Sequence, residues 1–190
     1  MDVVVRPVRA GEAAALRAVR LRALADAPEA FGETLEHSRA RGPASYEELV
    51  ADAVAGRAFV GVAELAGELV GMTGVRRHDP GKFGHRAMVW GVWVAPEARG
   101  VGVAGALLDQ AVAWSRVAGV GTLELTVVVD NLAALRLYRR AGVVVYGTDP
   151  DAMRQGDRSV AEHLMQLRLD AADVEVRPAQ AGEGGARQVG

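Results

Sequence analysis

Two closely spaced glycines, Gly100 and Gly102, lie in the run Arg99-Gly-Val-Gly-Val-Ala104, between an apolar stretch from Ala87 to Ala95 and a helical stretch from Gly105 to Val117. A glycine-rich loop that opens a helix is a receptacle for phosphate. The first-turn amides of a helix have no internal acceptor and carry the positive end of its dipole, so a pyrophosphate can accept from several at once. Glycine at 100 and 102 lets the anion approach the backbone closely. Gly100, Gly102 and Gly105 also satisfy the dinucleotide pattern G-x-G-x-x-G, with Asp130 at the end of the next strand where a ribose-binding acid would lie. Two features oppose an NAD-type site. Pro96 to Arg99 separate the strand from the first glycine, and the loop follows an antiparallel hairpin instead of opening the first βαβ unit.

The elements that must hold this loop can be read from periodicity. Val3 to Arg9 reads as a first strand, and Ala13 to Ala25 as a helix with Leu16, Val19, Arg20 and Leu24 at helical spacing. Tyr46 to Ala55 supports another short helix. Arg57 to Leu65 and Leu69 to Arg76 form an antiparallel pair around a three-residue turn, Ala66-Gly67-Glu68. Arg77 to His85 is a loop, and Ala87 to Ala95, apolar on both faces, is a central strand. A βαβα segment follows: strand Thr122 to Val129, helix Leu132 to Arg140 and Gly142 as its stop. Val143 to Tyr146 begins a further strand, Gly147 to Ser159 reads as a polar loop and Ala161 to Leu169 as the last strand. The 190 residues are expected to form one domain over 1–170, with a tail at 171–190 whose Ala-, Gly- and Gln-rich end, Ala179 to Gly190, reads as disordered.

Composition narrows the function classes. Without cysteine there is no disulfide, thiolate ligand or cysteine nucleophile. A formal charge of -2 carries no nucleic-acid footprint. No apolar run approaches the roughly 20 residues that cross a bilayer, and no basic-then-apolar leader opens the chain, so a cytoplasmic protein without membrane partners is expected.

Residues Trp93 to Ala104, Trp-Val-Ala-Pro-Glu-Ala-Arg-Gly-Val-Gly-Val-Ala, with Leu107-Leu108 after them, resemble motif A of the GNAT superfamily of N-acetyltransferases and its Arg/Gln-x-x-Gly-x-Gly/Ala core. Asn131 to Gly142, with Tyr138 inside it, resembles motif B. Order and spacing agree. Arg20-Leu-Arg-Ala-Leu24 and Pro28-Glu-Ala-Phe-Gly32 are similar to a bacterial GNAT subgroup of largely unassigned substrate. The likeness covers roughly residues 3–169 and is strongest over 87–146.

The resemblance implies a mixed α/β fold: a central, mostly antiparallel sheet with one splayed parallel pair, flanked by helices. It implies acetyl-CoA as co-substrate, no metal, and direct transfer of acetyl to the primary amine of a small molecule or protein; homodimers are common in such enzymes. The pantetheine arm would pair with backbone groups of Val92, Trp93 and Val94, one of whose amides could polarise the thioester carbonyl. Backbone amides of Gly100, Val101, Gly102, Val103, Ala104 and Gly105 would hold the pyrophosphate. Arg99 would add charge there, or be a solvated surface residue. Asn131 fits an amide contact to the cofactor, an N-cap for the next helix, or both. Tyr138, two helical turns on, shares its face and in the family usually protonates the departing thiolate. With a phenol pKa of about 10 against about 8.5 for the thiol, that transfer runs uphill by near 2 kcal/mol, so Tyr138 can serve mainly as a hydrogen-bond donor.

The general base is less defined. Where some family members carry a glutamate on the strand before motif B, this chain has Thr126; Glu124, His85 or a water chain are the candidates. Asp26, Glu29, Glu33 and Glu36 would favour a cationic acceptor if open to the site, or form a solvated helix end offset by Arg39 and Arg41. Phe31 lines the acceptor pocket or packs. His37, His78 and His163 lack the spacing of metal ligands. A GNAT-like module that binds acyl-CoA without catalysis is the second class.

Overall fold

The computed structural model describes residues 2–170; the expected tail at 171–190 lies outside the described residues. Strands β1 (Val4–Pro7), β2 (Phe59–Leu65), β3 (Glu68–Arg77), β4 (Arg86–Val94), β5 (Thr122–Val128), β6 (Val144–Gln155) and β7 (Arg158–Arg168) form one sheet in the order β1-β2-β3-β4-β5-β7-β6. Every neighbouring pair is antiparallel except β4 with β5. This is the mixed architecture expected from the sequence, with the apolar β4 in the middle.

Helices α1 (Ala13–Asp26), α2 (Leu35–Ala40), α3 (Ala44–Val54), α4 (Val103–Val117) and α5 (Leu132–Arg140) cover the sheet. Helix α1 buries Leu16, Val19, Arg20, Ala23 and Leu24, a stripe at three- and four-residue spacing that faces the sheet. Helix α4 seals the sheet with the fully buried Leu107, Leu108 and Ala111. At the end of α5 the amides of Gly142 and Val143 return to the carbonyls of Arg139 and Tyr138 at 3.1 and 3.0 Å, closing the helix where the sequence places its stop.

Two local readings are corrected and one helix is added. The β2–β3 turn has two residues, Ala66 (φ 51°) and Gly67 (φ 87°), with Glu68 already paired to Leu65; two successive left-handed residues give the turn whose twist matches the strands. The polar segment Gly147 to Ser159 is largely strand, turning at Gly156 and Asp157. β6 is a mostly exposed edge, so no buried face selects apolar residues along it, and register shifts at Val145/Gly147 and Asp149/Met153 bend it. Helix α2 forms in a stretch between the two predicted helices to which no element is assigned from the sequence. Its sequence signal is Thr34, whose Oγ1 accepts from the His37 amide at 3.1 Å.

Arg6 of β1 ties three elements: its guanidinium donates to Glu12 at 2.6 and 2.9 Å, before α1, and to Glu64 of β2 at 2.5 and 3.0 Å. The Arg6 hydrogen bond holds the Glu12 carboxyl below its ordinary value of 4.5, against the opposing effect of burial. A carboxylate with a folded pKa below its unfolded one adds stability above the unfolded value and loses it as pH falls through the folded one. The melting temperature should therefore drop below about pH 4.5. Glu12→Gln should cost about 2 kcal/mol, or about 4–8 °C, at pH 7 and make that acid drop shallower, as read by thermal melts across pH.

Candidate active site

Parallel pairing between β4 and β5 covers only Arg86, Ala87 and Met88 against Thr122, Leu123 and Glu124. Beyond Met88 the strands part. On the far side of β4 the register against β3 slips between Met72 and Gly74, and Gly91 takes φ 66°, a left-handed conformation that bends the strand. The opening is a cleft of about 840 Å³ walled by Val92, Trp93 and Val94 on one side and Val128 on the other.

Backbone accounting distinguishes the three wall residues of β4. The Ala95 amide donates to Val70 at 2.7 Å, and Trp93, two residues earlier, pairs with Met72, so both turn their backbone groups toward β3. Val94 faces the other way, and its carbonyl accepts from Arg99 Nε at 2.8 Å. Trp93 contributes its side chain instead: the indole N–H donates to Asp26 at 2.9 Å.

Below this wall stands the glycine loop. Gly100 (φ 81°) and Gly102 (φ 88°) are left-handed, and a Cβ at either would project into open space. The first helical bond of α4 runs from the Ala106 amide to the Gly102 carbonyl at 3.1 Å, so the amides of Val103, Ala104 and Gly105 precede the ladder. Gly100, Gly102, Val103, Ala104 and Gly105 all line the cleft. Val101 turns its side chain to solvent, 66% exposed, and has only backbone to offer. Arg99 reaches the cleft wall, but its guanidinium is engaged by the Val94 carbonyl and the Asp26 carboxylate.

Helix α5 supplies the opposite face. Asn131 caps it, Oδ1 accepting from the Ala134 amide at 3.1 Å, which is the N-cap reading, and it also lines the cleft. Tyr138 lines the cleft and is 7% exposed; burial alone pushes its phenol above the ordinary 10. It keeps its proton at any working pH. Ala134 and Leu137 join them, residues missed in the sequence although Ala134 lies three residues after Asn131 and Leu137 three after Ala134.

Ala27, Glu29, Ala30 and Phe31, between α1 and α2, close the remaining end. Two of the four acids in the cluster read here are paired. Asp26 accepts from Trp93 and Arg99, which hold it below its ordinary value, and Glu33 is bound by Arg20 at 2.8 Å and Arg41 at 3.1 Å. Glu29 alone of the four lines the cleft. The base candidates are placed elsewhere. Glu124, at the closed end of the β4–β5 pair, bonds Arg86 and, at 2.8 Å, His78; the Arg86 contact holds its pKa low. His85 is exposed, and its carbonyl accepts from Gly121 and Thr122. Thr126 is exposed on β5.

A family model described as "Acetyltransferase (GNAT) family" matches residues 23–143, which hold the parted strands, the glycine loop and Tyr138 together. The chain belongs to the GNAT acetyltransferase family. Streptothricin acetyltransferase from Streptomyces lavendulae is 33% identical over 113 residues, 60% of this GNAT chain and 57% of that protein. A mycothiol acetyltransferase from Brachybacterium faecium is 33% identical over 141 residues, 73% of this chain and 39% of its own. The chain thus spans about half or less of these curated relatives. A Salmonella typhimurium structure solved with its cofactor acetyl-CoA superposes with a TM-score of 0.77 at 20% identity, over 92% of this chain and 98% of that one. A Sinorhizobium meliloti phosphinothricin acetyltransferase in complex with acetyl-CoA gives 0.74 at 16%, over 88% and 89%. The fold of these structures is the fold of this GNAT chain. Among its described residues no helix is long and apolar enough to cross a membrane.

With Glu124 engaged by Arg86 and His78, Glu124→Gln should lower the melting temperature by a few degrees. Thiol release from acetyl-CoA should stay within about twofold of the parent with an unshifted pH profile; a loss nearer 10²-fold would make Glu124 a proton acceptor after all.

Proposed function

We propose that this GNAT domain, residues 1–170, transfers the acetyl group of acetyl-CoA directly to a primary amine. The observation that carries the reading is the cleft itself: unpaired strand edges at its wall lead to the free amides of the α4 N-terminus. A long donor with a peptide-like arm and a diphosphate end fits both halves. Val92 and Val94 would pair with the arm, and the amides of Gly100 to Gly105, Val101 included, would hold the diphosphate. Bound there, acetyl-CoA supplies an activated acyl thioester. The protein's part is to align the amine, exclude water and manage two protons.

Tyr138 handles one of them. Its buried phenol carries a proton into the cleft, where it can hydrogen-bond or protonate the sulfur as the carbon–sulfur bond breaks. The other proton leaves the ammonium form of the acceptor before attack. The carboxylates among the described lining residues, Glu29 and Asp130, are both exposed, and this proton would reach solvent water directly or by way of one of them.

Two measurements test the reading. An amine panel assayed by thiol release should yield an acceptor whose kcat/KM rises with pH toward the amine's own pKa; tight coenzyme A binding with no turnover on any amine would leave a binding module in place of an enzyme. On that acceptor Tyr138→Phe should lower kcat by about 10²-fold while the KM for acetyl-CoA stays within about twofold. An unchanged kcat removes Tyr138 from the chemistry.

A further inference from the structure

Asp26 is the last residue of α1, where a carboxylate meets the negative end of the helix dipole. Residues that break a local rule are often held there by something else. Here two donors hold it: the Trp93 indole N–H at 2.9 Å and the Arg99 guanidinium. Arg99 in turn closes onto the Val94 carbonyl through Nε at 2.8 Å. One turn back in α1, Arg22 lies 5.7 Å from the centre of the Trp93 ring and pairs with Glu97 at 2.7 Å. The end of α1 therefore grips the whole segment from Trp93 to Arg99 that leads into the glycine loop. Of the residues that follow Asp26, Ala27, Glu29, Ala30 and Phe31 line the same cleft.

We infer that Asp26 is a positioning residue for the acyl donor: with Arg99 it forms a brace that sets the open edge of β4 and the start of the glycine loop, and Arg99 acts in this brace and not as a charge on the diphosphate. The inference rests on the donor reading of the cleft. The charge of Arg99 is already met by Asp26, and its Nε by Val94, whereas the loop amides are free to take an anion by themselves. A geometric brace and a phosphate ligand predict opposite signs. If Asp26 restrained a phosphate-binding arginine, removing it would release Arg99 and tighten binding; if Asp26 and Arg99 act as one unit, losing either loosens it equally.

The test is calorimetric titration of the full chain with coenzyme A, with melting temperature as a control for folding. Asp26→Ala and Arg99→Ala should each weaken binding by about tenfold, and the double variant should be little worse than either. Arg99→Lys should not rescue, because an ammonium cannot span Val94 and Asp26 as the guanidinium fork does. The salt dependence of the affinity should be the same in Arg99→Ala as in the parent. Should Asp26→Ala fold poorly, Asp26→Asn, which keeps only one acceptor oxygen, is expected to fall between parent and Arg99→Ala. Parent-like or tighter binding by the Asp26 variants, losses that multiply in the double variant, or a flattened salt dependence in Arg99→Ala would overturn the brace while leaving the donor reading intact. Absence of coenzyme A binding by the parent would end both.

Discussion

A strand in the middle of a sheet ordinarily satisfies its backbone on both sides, and β4 does so only as far as Met88. Past that residue it is paired to β3 alone, and its other edge faces a cleft. The bend at Gly91 and the slipped register opposite it keep the two parallel strands apart, so the missing ladder cannot simply close. Unmet hydrogen-bonding capacity at the centre of a protein is costly unless something fills it. The rest of the molecule is arranged around this gap.

Three elements converge on it for separate reasons. Helix α4 brings its amide-rich end because its buried face, Leu107 and Leu108, packs on the sheet and thereby aims the helix start at the cleft. Helix α5 carries Asn131 and Tyr138 on one face, with Leu135 and Tyr138 buried and the stop at Gly142 limiting its length. The end of α1 reaches across from the other side through Asp26, Trp93 and Arg99. Of the charges that line the gap Arg99 is paired with Asp26, and the tyrosine is buried, so directed dipoles and a retained phenolic proton are prominent in the site.

Much of this was legible along the chain because it is local. The glycine loop, the helix it opens, the Asn131 cap and the Gly142 stop depend on neighbours a few residues away, and the motif spacing that named the family samples those contacts. The β6–β7 hairpin was not legible, since an exposed edge strand needs no apolar alternation to form. The place of Ala134 beside the cleft was encoded in its three-residue spacing from Asn131. Glu29 and Phe31 are among the residues that read as facing the acceptor, whereas Ala27 and Ala30 beside them in the lining had no comparable signal.

By itself the chain specified the elements, the central place of β4, the anion-ready loop and the family resemblance, all of which follow from short-range periodicity and turn chemistry. Which groups are free could be decided only by the tertiary structure. Arg99 reads as an available cation until Asp26, far away in sequence, is seen on it. Glu124 reads as an available base until Arg86 and His78 are found beside it. Trp93 and Val94 are neighbours, yet the pairing with β3 turns their backbones to opposite edges. Availability is a property of partners, and these partners are brought together only when the sheet and its covering helices are assembled.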